Sequence, residues 1–278
     1  GSGAVEPRSR TFLPMAQVVE ATVIGQPVVT AEAVKPADQQ VVVSQQPQQF
    51  LDPSIIATVD AVYIVQLFEV AELFGCEFPN RYSVSPFSGN LGNPQGGPQI
   101  IYIQERMNGC GDCCYKQCCG PLRASTSDMF FSHYGSGASL GTINKTCGTP
   151  LCCCCWPSTT IALGSGATAT IADHRIPTPY CAPCMGVKFN VGEFQVSGGC
   201  LCCGLCPCCE YSMNILDRQN NRVGSIAKVP YFCCEFLTGT NRYTVHFPPG
   251  CTPDDKLLLI GATIHTDLGY FEKRKGNS

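Results

Sequence analysis

DDKLLLIGATIHTDLGYFEKRK, residues 254–275, is the stretch that decides how the rest of the chain must fold. Asp254 and Asp255 stand where a helix would begin, and Lys273, Arg274 and Lys275 lie just beyond its end, the charge order that suits a helix dipole. The apolar run between them is about 15 residues, whereas a bilayer crossing needs roughly 20. It also carries His265, Thr266 and Asp267 near its end, and charged groups are costly inside a membrane. The stretch therefore reads as a helix buried in a protein core.

Working back from that helix, the chain supplies short β-favouring runs. These fall at residues 82–84, 100–104, 129–133, 159–163, 168–172, 187–191, 211–216, 223–227 and 243–247. Gly, Pro, Asn and Asp break them about every 8–20 residues, the pattern of an all-β barrel or sandwich. Gly135-Ser136-Gly137 and Gly164-Ser165-Gly166 read as hairpin turns. Residues 59–74 read as a strand followed by a short helix with Leu67, Val70 and Phe74 on one face. Cysteine-rich turns follow a strand at 110–119 and again at 200–209, which suggests two related halves. Residues 1–52, rich in Gln, Val and Pro, read as a flexible arm, either a plain tail or a segment that orders on a protein partner. The domain then covers 53–272, and 273–278 form a basic tail.

Composition narrows the function classes. With 18 basic and 21 acidic residues and no long run of either sign, nothing marks a nucleic-acid surface. Charged residues make up only 14%, so the surface is less polar than usual and suited to cover by a membrane or partner. Cysteine stands out at 22 of 278 residues. Cys152, Cys153, Cys154 and Cys155 are contiguous, and four adjacent thiols cannot each reach a separate partner at disulfide geometry. No basic-then-apolar leader opens the chain, and the expectation is a reducing, cytosolic compartment. The four histidines (His133, His174, His246 and His265) are scattered, and no nucleophile elbow or phosphate loop occurs, so no catalytic residue is assigned. His174, between Asp173 and Arg175, reads as part of a solvated turn.

One run is specific enough to suggest a family. Cys113, Cys114, Cys118, Cys119, Gly120 and Pro121 form CC-x-x-x-CCGP, which resembles the signature of phospholipid scramblases, there also preceded by a strand ending in an acidic residue, as at 101–105. Segments 59–82, 151–155, 199–217 and 243–271 are similar to that family in the same order, so the resemblance covers everything after the arm. It implies a mainly β fold: a closed antiparallel barrel of the tubby-like and LURP-one-related type around a buried hydrophobic C-terminal helix. A closed barrel removes sheet edges and gives the helix apolar walls.

The resemblance also implies chemistry. The family's central cysteine cluster is S-acylated, and Cys152 to Cys155 occupy that place beside Trp156. Two acyl chains turn marginal membrane binding into stable anchoring, and a tryptophan suits the headgroup layer. The other reading is that these cysteines are inert small hydrophobes. Calcium-responsive members carry an acidic loop before the last helix. Here the corresponding loop holds Thr238, Asn241 and Arg242 and no Asp or Glu, so no calcium site is expected. Cys110, Cys113, Cys181 and Cys184 have the C-x-x-C spacing of a structural zinc site, although cysteine is frequent enough here for that spacing to arise by chance. No other cofactor is implied. The resemblance implies phospholipids as partners at the cytoplasmic face of a membrane, and translocation or sensing of lipid without bond chemistry. The rival reading is a scaffold in a larger assembly, for example a cytoskeletal one, bound through the arm.

Overall fold

The alternation that sets the strands is plain in STTIAL, TATIA and YSMNIL, where every second residue is buried and its neighbours face outward. The computed structural model describes residues 54–68, 78–90, 93–107, 122–132, 138–148, 157–172, 174–177, 185–199, 210–230 and 240–271. A short turn of helix, α1 (Ile55–Thr58), precedes β1 (Ala61–Leu67) and β2 (Arg81–Asn90). There follow β3 (Asn93–Gly96), β4 (Ile101–Glu105), β5 (Ser125–Phe131), β6 (Ser139–Lys145) and β7 (Ser158–Leu163). Then come β8 (Thr168–Ala172), β9 (His174–Pro177), β10 (Met185–Val191), β11 (Phe194–Gly198), β12 (Tyr211–Leu216), β13 (Arg222–Lys228) and β14 (Arg242–His246). Helix α2 (Pro253–Thr266) and a π-helical turn (Asp267–Phe271) complete the described elements.

All pairings are antiparallel, and apart from the β2–β3 side hairpin each strand pairs with the next along a meander. β14 returns to pair with β1, Ile64 opposite Tyr243. The remaining gap closes because β8 bonds to β7 while β9, its continuation one residue later, bonds to β10. Counting β8 and β9 as one strand gives a nearly closed 12-strand up-and-down antiparallel barrel. The expected fold class is observed, and a barrel rather than a sandwich settles the one alternative.

The barrel is filled by the helical stretch that ends at Phe271. Every residue from Lys256 through Phe271 is buried, as expected of a helix with apolar walls on all sides. Its start is fixed by a capping box: Thr252 Oγ1 accepts from the Asp255 amide at 3.2 Å, and Asp255 Oδ2 accepts from the Thr252 amide at 3.1 Å. Pro253 at the first helical position has no amide to leave unpaired. The strands contribute Ile64, Val84, Ile103, Ile143, Ile161, Phe189 and Ile226 to the same core. Contact is close enough that a Cβ on Gly261 would lie 2.7 Å from Ile161 Cδ1.

Three local readings change. Leu67 ends strand β1 instead of starting a helix; Val70 and Phe74 lie outside the described residues. His174 opens strand β9, paired with Lys188, so it is not part of a turn. Strands β3, β6, β9 and β11 are not among the expected runs. The turn at 164–166 joins β7 to β8 as expected, whereas 135–137 lie outside the described residues.

Candidate functional site

Connections in an up-and-down barrel alternate between its two ends, so each can be assigned from the strands it joins. The links β1–β2, β4–β5, β6–β7, β9–β10, β11–β12 and β13–β14 leave and re-enter at one end. In sequence these six carry Cys76, five cysteines from Cys110 to Cys119, five from Cys147 to Cys155, Cys181 with Cys184, six from Cys200 to Cys209, and Cys233 with Cys234. The remaining cysteine, Cys251, precedes α2 at the opposite end. Taken as two halves of six strands, the chain has 110–119 and 200–209 each joining the third strand to the fourth, in line with the suggested repeat.

The described floor of the cysteine end is polar and bonded. Glu105, at the end of β4, is buried and accepts from the Asn80 amide at 3.1 Å and from Arg123 Nη1. Lys145 Nζ, at the end of β6, donates to the carbonyls of Arg123 at 2.8 Å and Gly148 at 3.0 Å. These contacts join the strand ends that flank the signature segment and the 152–155 cluster. The charged groups are partnered, as burial demands. Just after β4, Arg106 grips Asp128 of β5 through two bonds of 2.6 and 2.5 Å, which raise the Arg106 pKa.

The last turn of the central helix reaches the same floor. Asp267 accepts from Tyr82 Oη, Tyr243 Oη and Asn241 Nδ2, each at 2.6 Å. Asn241 Nδ2 also lies 3.3 Å from the Phe271 carbonyl, and Lys228 Nζ sits 4.3 Å from the centroid of the Phe271 ring. His265 is buried, with Nδ1 2.7 Å from Thr159 Oγ1 and its ring edge-on to Phe189. The polar residues that keep this helix from resembling a membrane span thus have partners inside the barrel.

The other end is built differently. Lys256 Nζ donates to the carbonyls of Ile56, Ala57 and Val59 at 3.1, 2.8 and 2.8 Å, using its three hydrogens to tie α1 to α2. The hairpin after β12 is an Asx turn in which Asp217 accepts from Gln219 and Asn221. The Asn221 side chain, then the two amides, hold the Asp217 carboxyl below its usual pKa. Glu193 and Arg218 pair at 2.6 Å on the exposed surface nearby.

Of the expected site residues, the structure describes two. Asn241 is buried and bonded to Asp267 and Phe271, and Arg242 donates to the Pro230 carbonyl at 2.8 Å and lies 3.4 Å from Tyr63 Oη. Both are structural pins of the helix end and the β14 edge. Thr238, Cys110, Cys113, Cys114, Cys118, Cys119, Gly120, Pro121, Cys152 to Cys155, Cys181 and Cys184 lie outside the described residues. Topology puts the Cys110/Cys113 link and the Cys181/Cys184 link on non-adjacent connections, with the 146–157 link between them. Among the described residues no three His, Cys, Asp or Glu side chains converge as metal ligands. The acidic strand end at Glu105 is part of the sequence resemblance; its joining with Arg123, and of Arg123 with Lys145, is seen only in the fold.

Comparison with known proteins adds an independent line. The chain matches the scramblase family over residues 41–273. It is 26% identical over 235 residues to phospholipid scramblase 2 of Bos taurus, covering 80% of this chain and 71% of that protein. It is 26% identical over 224 residues to phospholipid scramblase 1 of Homo sapiens, covering 78% of this chain and 64% of that protein. Phospholipid scramblase 1 of Mus musculus is 27% identical over 232 residues, 80% of this chain and 64% of that protein. The chain thus spans roughly two thirds of its relatives' length, and no solved structure matches it. With the family match, the barrel and the buried helix in agreement, the chain belongs to the scramblase family.

Proposed function

We propose that this protein is a lipid-anchored membrane protein that moves or senses phospholipid at the cytoplasmic face of a bilayer, without calcium as activator. The reading is supported by the scramblase-family match over residues 41–273 together with the contiguous cysteines Cys152 to Cys155 within it. Acyl chains on Cys152 to Cys155 would add about 0.8 kcal/mol per buried methylene, enough for stable attachment once two are present. Among the described residues no helix is long and apolar enough to cross a membrane, and α2 is fully enclosed by strands. Attachment through thioester-linked chains suits such a body. The absence of calcium activation rests on the loop chemistry: Asn241 and Arg242 are committed to Asp267, Phe271, Pro230 and Tyr63. A structural role in a larger assembly is the second reading, favoured by the filled barrel, which holds a helix where a lipid would have to pass.

The test is membrane fractionation before and after neutral hydroxylamine, with an acyl-exchange mass shift on the same samples. Release together with a shift lost on replacing Cys152 to Cys155 by Ala supports the anchor. Reconstitution with fluorescent phosphatidylcholine and phosphatidylserine, with and without calcium, then separates translocation from scaffolding. Calcium-independent loss of leaflet asymmetry supports the first reading; a thioester-free protein retained by detergent-insoluble material supports the second. The scaffold reading also predicts that deleting residues 1–52 releases the protein from that material.

A further inference from the structure

Side chains along a barrel strand alternate between the interior and the outer wall, and those on the outer wall meet solvent unless something lies over them. On strands β6 to β12 they do meet it: Asn144, Thr168, Thr170, Asn190, Ser212 and Asn214 are all exposed. The wall from β13 through β14, β1 and β2 to β4 differs. Four apolar side chains there, Tyr63, Tyr102, Ala227 and Val229, are buried without belonging to the core, and Ser85 and Thr244 are buried beside them. Ala227 lies opposite Thr244, Thr244 opposite Tyr63 and Tyr63 opposite Ser85, so these four make one row across the outside of four adjacent strands. With strands spaced at about 4.8 Å the row is about 14 Å long.

Half of the row has a visible cover. Strand β3 folds back over β2 and β1, so that a Cβ on Gly96 would press on Ser85 Oγ and lie 3.3 Å from Tyr63 Cδ1. It stops there. Among the described elements, the substantial contacts of β13 and β14 are with their sheet neighbours and, for β14, with α2 inside the barrel. Thr244 is nevertheless 0% exposed and Ala227 3%. Among the described residues Thr244 Oγ1 also has no hydrogen-bond partner. Buried hydroxyls are seldom left unpaired, so the cover over this half of the row has to bring both apolar area and a polar group aimed at Thr244.

We propose that the row is the seat of residues 49–53 of this same chain, Gln49-Phe50-Leu51-Asp52-Pro53. The segment leads directly into Ser54 and α1, and Lys256 holds α1 and Val59 through the carbonyls of Ile56, Ala57 and Val59. It therefore leaves the barrel beside the start of β1, whose neighbour on the uncovered side is β14. Five extended residues reach about 17 Å, enough for the row, and Pro53 favours an extended Asp52 before it. Phe50 and Leu51 supply apolar area for Ala227 and Tyr63, and the Gln49 amide offers both a donor and an acceptor to Thr244 Oγ1. The one charge, Asp52, falls next to Ser54, which is exposed, so seating the segment buries no ion. The scramblase-family match begins at residue 41 and so takes in this segment, and the compact unit that holds the barrel runs from Gln49 to Ser278. On this assignment residues 49–53 are a strap belonging to the domain, whether or not the protein is anchored to lipid.

The test uses the full chain with photoreactive p-benzoylphenylalanine in place of Phe50, and cross-links are located by peptide mass spectrometry. An unchanged unfolding midpoint confirms the barrel, and Leu51 takes the label if the first variant does not fold. The expected cross-links fall on the peptides that hold Ala227, Thr244 or Tyr63. Cross-links confined to other strands, or none within the chain, overturn the proposal. So does a result in which the label at Phe236 reaches the row while the label at Phe50 does not, which would give the seat to the connection between β13 and β14. A second variant, Phe50→Ser with Leu51→Ser, is followed by hydrogen exchange. Amides of β13 and β14 should exchange about threefold faster or more, with those of β7 and β8 unchanged. Exchange that is the same in all four strands, or faster to the same degree in all four, means that residues 49–53 do not cover this wall.

Discussion

The two ends of the barrel solve the same problem, holding the central helix in place, by opposite means. At the cysteine end one carboxylate, Asp267, gathers three neutral donors from β2, β14 and the residue before β14. At the other end one ammonium, Lys256, gathers three carbonyls from α1 and from Val59, the residue that follows it. The signs are dictated by what each end has to offer. The chain at α1 presents the carbonyls of Ile56, Ala57 and Val59, whereas strands β2 and β14 carry tyrosines at their second positions whose hydroxyls donate. The first end is thus pinned by side-chain donors, while the second is stapled by backbone carbonyls.

The largest effect should follow from removing Asp267. Asp267→Ala leaves the Tyr82 and Tyr243 hydroxyls and the Asn241 amide in the core without their acceptor, and we expect a loss of about 4 kcal/mol, a large part of a domain's usual stability. Urea unfolding followed by fluorescence reads this directly; a loss below about 1 kcal/mol would mean the cluster is not what holds the helix end. Lys256→Met should cost about 2–3 kcal/mol, since the thioether fills the space but abandons three carbonyls. Limited proteolysis should then cut near α1 before the barrel unfolds. The two residues are 11 positions apart on one helix, roughly 16 Å, so the double variant should lose the sum within about 0.5 kcal/mol. Strong non-additivity would show that the ends communicate through α2. Smaller again is Thr252→Ala, which breaks the capping box at a cost of about 1 kcal/mol.

The helix was legible because its signal is dense: acids at the start, an apolar run too short for a bilayer, and a polar close. The barrel was legible from the repeated short runs, but not the sorting of its ends. Which end a loop occupies depends on the parity of the strand count before it, so one missed strand inverts everything that follows. Strand β6, SLGTINK, has only Leu140 and Ile143 as large apolar residues, and β11, FQVSG, is five residues closing on glycine. Without β6 the 152–155 cluster follows β5 directly and falls at the wrong end; without β11 the 200–209 segment does the same. Asn241 was read as a poor calcium ligand from its neighbours in sequence. Its actual partner, Asp267, is 26 residues away and becomes visible only once β14 and the helix are placed together.

The smallest prediction tests the comparison thiol by thiol. Cys251 lies at the stapled end, half-buried, and burial first, then Asp255, push its pKa from 9.0 up to about 11 against the opposing pull of Lys256. The sign follows. An unfolded chain loses this proton near pH 9 while the folded chain keeps it, so the thiol's contribution to stability is intact below pH 9 and declines as pH rises toward 11. At pH 8 roughly a thousandth of Cys251 would be thiolate, against roughly a tenth for a thiol at the ordinary value, a difference of about 100-fold in alkylation rate. Cys147 is exposed at the cysteine end. Iodoacetamide at pH 8, read by peptide mass spectrometry, should therefore modify Cys147 well before Cys251, and denaturant should erase the difference. Asp255→Asn should speed Cys251 by removing a repelling charge. Equal labelling of Cys147 and Cys251 in the folded protein would show that the Lys256 end breathes open on the timescale of the reaction, and the backbone staple would then slow access to Cys251 without preventing it.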